Sequence, residues 1–148
     1  MRKEAPLIRL IEVEAFIHDI STRMPFRYGI ACMTAAPALH IRLTVEDSNG
    51  KTAQGVAADG LPPRWFDKDP EKDYRDNVDD LIAMARAAAR VYQKTSARPR
   101  SLFGVWRDAY EAILDEGQTA GLNKLTSGHG SSLLERALVD AIGTARGM

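Results

Sequence analysis

Apolar and polar positions change their period twice along this chain. From Leu7 to Ile20 they alternate, with Ile11, Val13, Ala15 and Ile17 on one side and Glu12, Glu14 and His18 on the other. A period of two is that of a half-buried strand. The stretch 21–36 has no clean period and holds Pro25, Phe26, Tyr28, Gly29 and Met33, with Pro37 just beyond it, so it reads as a long loop. Alternation resumes where Leu39, Ile41, Leu43 and Val45 are set against His40, Arg42, Thr44 and Glu46. Asp47-Ser48-Asn49-Gly50 then reverses the chain into a strand at 52–58, because Asn and Gly both tolerate the positive φ of a hairpin turn. Residues 1–60 therefore form a three-stranded antiparallel β-meander. Asp59-Gly60-Leu61-Pro62-Pro63 stops it, since two prolines remove donors and fix φ.

Beyond Pro70 the period lengthens. Val78, Leu81, Ile82, Ala85, Ala88 and Tyr92 recur at three- and four-residue steps, the mark of an amphipathic helix. Its acidic start (Glu71, Asp73, Asp76) and basic end (Arg90, Lys94) suit the helix dipole. Arg98-Pro99-Arg100 breaks it, and Phe103, Trp106, Tyr110, Ile113 and Leu114 mark a second helix that stops near Gly117 or Gly121. Ser132 with Glu135 has the form of a capping box for a third, whose stripe is Leu134, Ala137, Leu138, Ala141 and Ile142. Strands first and helices (70–148) afterwards give an α+β domain with a helical bundle on one face of the sheet. One domain spans 1–148, and 141–148 close on a helix without a tail, as at a cut domain boundary.

A length of 148 residues suits a single core that buries about 70% of the unfolded surface. Apolar residues at 45% and charged residues at 27% exclude a disordered chain and a membrane protein. Twenty basic and twenty acidic residues cancel, so no global field draws the chain to nucleic acid or to an anionic membrane. Arg9, Glu12 and Glu14 interrupt the apolar run that an export signal needs, which points to the cytoplasm. Cys32 is the single cysteine and leaves neither an intramolecular disulfide nor a cysteine metal knuckle.

Candidate chemistry is sparse. His18, His40 and His129 sit on different segments without metal-ligand spacing. Asp76 and Asp80 would share a helix face and could pair for metal or acid–base work, but acidic residues also favour a helix's first turns. Gly128-His129-Gly130-Ser131-Ser132 would open the third helix, either as a cap or as an anion site, without the lysine or spacing of a P-loop. Ser131 and Ser132 have no recognisable triad partners. Two segments concentrate aromatic and basic side chains: Arg23, Met24, Phe26, Arg27 and Tyr28 in one, Asp59 to Phe66 with Arg64 and Trp65 in the other. Loops so composed are candidates for ligand binding, and packing onto the domain's own helices is the rival account.

A β-meander with two prominent loops followed by helices resembles the N-terminal capping domain of the mandelate racemase/muconate lactonizing group in the enolase superfamily. The likeness extends to Pro25-Phe26-Arg27-Tyr28-Gly29, Glu46-Asp47-Ser48-Asn49-Gly50, 62–68, and 132–141 with its Glu135-Arg136-Ala137 and Asp140-Ala141. The resemblance implies a parent enzyme, a racemase, cycloisomerase or dehydratase, in which a C-terminal barrel carries the bases and the acidic ligands for magnesium and abstracts a proton α to a carboxylate. Those groups are absent from this chain, so it would be inactive alone, with no catalytic residue and no metal ligand of its own. By the resemblance, two mobile loops of the cap close over the barrel mouth, and Phe26, Arg27, Tyr28, Asp59 and Trp65 would contact the organic acid substrate. Its partners would be the barrel and, through the apolar surface left open without it, further copies of itself. The alternative is a non-catalytic binding or interaction module of the same fold.

Overall fold

The computed structural model describes residues 5–29, 31–62 and 64–147. Their order is β1 (Leu7–Tyr28), β2 (Ala31–Asp47), β3 (Thr52–Gly60), α1 (Tyr74–Thr95), β4 (Arg100–Ser101), α2 (Leu102–Thr119) and α3 (Lys124–Ala145). The sheet runs β3-β2-β1-β4 with antiparallel pairing throughout. The α+β meander holds, and β4 adds a two-residue strand that clips Leu7 and Ile8 at the start of β1.

The long loop does not form. β1 and β2 continue as a paired ribbon through Phe26↔Met33, Arg27↔Cys32 and Tyr28↔Ala31, which replaces the loop expected at 21–36 by a hairpin arm. The two prolines that argued for a loop sit where a ladder can take them. Pro25 lies in an irregularity in which the register slips between Ser21 and Phe26. Pro37 turns its backbone toward Leu61, whose N–H bonds to its carbonyl at 2.8 Å, so its missing donor is not one that β1 needs. A second irregularity, between Leu10 and Glu12, corrects the face assignment of Ile11. Ile8 and Leu10 point into the core, Ile11 is the bulged residue and is exposed, and the inward positions resume at Val13.

Leu39, Ile41, Leu43 and Val45 of β2 form the inner face with Ile8 and Leu10. Against them lie Leu81, Ala85, Ala88 and Tyr92 of α1 and Leu134, Ala137, Leu138 and Ala141 of α3, with Val105, Ala109 and Ile113 of α2 in the layer behind. Asp73 caps α1 in a reciprocal box with Asp76, and Ser101 caps α2.

The third helix starts nine positions earlier than the Ser132 box indicates. Asn123 caps it by accepting from the N–H groups of Leu125 and Thr126, and the Ser132 hydroxyl, inside the helix, donates to the His129 carbonyl. Residues 128–132 are therefore neither the cap of α3 nor, as the alternative reading had it, an anion site, since their N–H groups lie inside the helix. Glycine and serine occupy these turns because neighbours come close. A Cβ on Gly130 would stand 2.4 Å from the Met84 carbonyl oxygen, and one on Gly55 would stand 2.1 Å from the Ala137 carbonyl oxygen.

The segment 132–141 also protects the free edge of β3. Asp140 accepts from the Val56 N–H at 2.8 Å, and Arg136 reaches the Ala58 carbonyl at 3.4 Å and the Asp59 carboxylate at 2.8 Å. Spaced by one helical turn, the two side chains answer one donor and one acceptor of an edge that would otherwise be a template for strand addition.

Candidate functional site

The tip of the β1–β2 arm and the segment between β3 and α1 come together. Tyr28 packs against Phe26 at a centroid distance of 5.6 Å and, edge-on, against Trp65 at 5.5 Å. Around this contact lies a cleft of about 450 Å³ lined by Tyr28, Gly29, Ala31, Arg64, Trp65 and Lys68. Its charged lining is cationic, and neither Arg64 nor Lys68 has a carboxylate partner among the described residues. Burial pushes the Tyr28 phenol above its ordinary range. Tyr74, the first residue of α1, is raised too, by its own desolvation and then by the charges of Asp19 and Tyr28. Both hydroxyls are thus neutral donors at physiological pH.

Trp65 is set in place by its neighbours. Leu61 is fully buried. Arg64 adopts φ 57°, and its N–H bonds to the buried Asn77 side chain of α1 at 2.7 Å, which offsets the left-handed backbone conformation. The Phe66 carbonyl accepts from Asn123 at 3.1 Å, so the cap of α3 also ties down this segment. Lys72 binds Asp67 at 2.9 Å and Asp80 at 2.7 Å, closing the segment onto α1. Mutual attraction holds the Lys72 ammonium well above its usual range and the Asp67 carboxyl below its own.

A sheet backed by three helices in this order recurs in solved enzymes. An enolase from Bradyrhizobium, complexed with magnesium and mandelic acid, matches over 99% of this chain and 34% of its own, with TM-score 0.55 and 19% identity. An enolase from the alpha proteobacterium bal199, with bound magnesium, matches over 95% of this chain and 32% of its own, with TM-score 0.57 and 16% identity. The chain shares its fold with the matching part of these enolases. It spans about a third of the length of these enzymes. No family model matches the sequence, and no curated protein does.

Within this domain the expected site residues divide. Tyr28 joins Phe26 of its own strand to Trp65 of the other segment, a meeting that the sequence did not indicate. Arg27 lies between Phe26 and Tyr28 on a paired strand and so projects to the other side of the arm. Asp59 is held by Arg136 and does not line the cleft. Lys68, Ala31 and Tyr74 were not singled out from the sequence. Lys68 follows Trp65 by three positions, a spacing whose geometry only the turn at 64–66 defines.

The acidic run that invited a metal reading does not fit one. Asp67 and Asp80 are both taken by Lys72, Asp73 and Asp76 cap α1 reciprocally, and Asp69 accepts from the Glu71 N–H. Among the described residues no three His, Cys, Asp or Glu side chains gather where they could hold a metal ion. His18 and His40 come together across β1 and β2, ring centroids 5.9 Å apart, but stand exposed without a third ligand. No described helix is long and apolar enough to cross a membrane.

Proposed function

We propose that this domain caps the barrel of a magnesium-dependent enzyme acting α to a carboxylate, an isomerase or lyase of the racemase, cycloisomerase or dehydratase kind. In this reading the chain contributes substrate selection and no catalytic group, while the barrel holds the metal and the bases. The observation that carries it is the meeting of Tyr28 and Trp65 from two distant segments in one cleft, in a domain whose fold matches magnesium-binding enolases.

Magnesium, bound by the barrel, would supply charge stabilisation at the substrate carboxylate. The chain's own residues act at the other end of the substrate. Tyr28 and Trp65 offer apolar faces to its distal part and displace water from it. The Arg64 and Lys68 cations, together with the neutral hydroxyl of Tyr28, favour a distal group that is anionic or rich in acceptors. The domain works in the cytoplasm, and its open apolar surface is covered by the barrel or by further copies of the chain.

The test is steady-state kinetics of the enzyme assembled with its barrel over a panel of organic acids that differ at the distal end. Tyr28→Ala and Trp65→Ala should raise KM about tenfold for the preferred acid and narrow the gap to the others, since one lost aromatic contact is worth about 1–1.5 kcal/mol. Unchanged selectivity in both variants would sink the reading.

A further inference from the structure

Trp65 faces the cleft, and its neighbour Phe66 turns into a different hollow of about 310 Å³ between the 64–66 turn, α2 and α3. There the Phe66 ring meets the His129 ring edge-on, centroids 4.9 Å apart and planes at 71°. His129 is 3% exposed, and neither Nδ1 nor Nε2 has a hydrogen-bond partner. A neutral imidazole carries one donor and one acceptor, and burying both unmet costs free energy, so hydrogen bonding does not account for a histidine here. The contact it makes is with the residue beside Trp65.

We propose that His129 is a positioning residue for the aromatic cleft: its buried ring seats Phe66 and, through Phe66, holds Trp65 against Tyr28. This deepens the reading of the cleft as the substrate-selecting site and rests on it. The seat is also sensitive to acid. Burial holds the imidazole below its ordinary value of 6.5, Asp59 of β3 acts against that shift, and Arg136 of α3 adds to it. Lys124 and Glu135 of α3 and Tyr110 of α2 line the same hollow, and none of them bonds to the ring.

The sign is fixed by which state takes up the proton first. As pH falls through about 6.5 the unfolded or unseated form binds a proton before the seated form does, so the seat is fully stable above that value and weakens below it. A charged imidazolium then gains by reaching water, which releases Phe66 and with it Trp65.

The experiment uses this chain with Trp106→Phe, which leaves Trp65 as the single tryptophan of the two present. Its emission is followed from pH 8 to pH 5 beside far-ultraviolet circular dichroism. The expected result is a red shift of Trp65 below pH 6.5 with helix content retained. His129→Phe, an aromatic that does not titrate, should keep the high-pH emission throughout, and Phe66→Ala should be red-shifted at every pH. An emission that does not move with pH in the His129 protein overturns the proposal, and so does a shift that persists unchanged in His129→Phe. Because no substrate enters this readout, failure here is distinguishable from failure of the substrate-selecting reading, which only the kinetics of the assembled enzyme can show.

Discussion

Gly130 and Gly55 show most plainly what single residues do in this molecule. Each marks a close approach, Gly130 of α3 to the backbone of α1 and Gly55 of β3 to the backbone of α3, and a methyl group at either position would collide with main-chain atoms that cannot swing aside. Gly130→Ala should therefore destabilise the fold by about 1–3 kcal/mol, read as a lower urea midpoint at unchanged slope. A midpoint equal to that of the native sequence would show that α1 yields easily. Within the sequence, Gly128-His129-Gly130-Ser131-Ser132 looked like the opening of a helix because serine is a preferred cap residue. Their meaning depends on Met84 and Ala85, far away in the chain, and no local pattern carries that information. Tyr92 is similar: it is wholly buried, its hydroxyl lies 2.9 Å from that of Ser131, and burial pushes its pKa up to about 12. Periodicity places it on the inner face of α1 without revealing its polar partner.

At the scale of elements, α3 joins the layers. It packs on α1, on α2 and on the sheet, and Arg136 and Asp140 finish the β3 edge. Asp140→Ala leaves the Val56 N–H without its acceptor at a site open to water, so the cost is about 1 kcal/mol. The sharper expectation is local: the Val56 amide should exchange with solvent faster while core amides of β2 are unchanged, as hydrogen-exchange NMR would resolve. The helices were legible from their apolar spacing, and so was the hairpin at Asp47, whose side chain binds the N–H groups of Asn49 and Lys51. The arm was not legible, because the register slip between Ser21 and Phe26 interrupts the alternation on which strand reading depends. The candidate site suffered less. Phe26, Tyr28 and Trp65 stood out by residue type, but only the arm brings them into contact and turns Arg27 away.

Seen as a whole, the domain leaves apolar surface uncovered on its sheet. Phe16, Ile20 and Val56 stand exposed on the outer face, the first beneath the Arg42 guanidinium, and Ile17 flanks an open groove beside α1. Exposed apolar groups of this kind mark surfaces meant to be covered. The isolated chain should therefore self-associate as its concentration rises, seen in sedimentation velocity as a growing weight-average mass. A monomer throughout the series would mean that the outer face tolerates water. Whether this domain serves a magnesium-dependent barrel is tested first by sequencing the reading frame that continues or adjoins its coding sequence. About 250 residues of alternating strands and helices, with lysine bases and three spaced acidic ligands, are the expected finding. Coding sequence on that side with no such barrel, in the same frame or in an adjacent gene, would rule out a capping role and leave a binding module of this fold in its place.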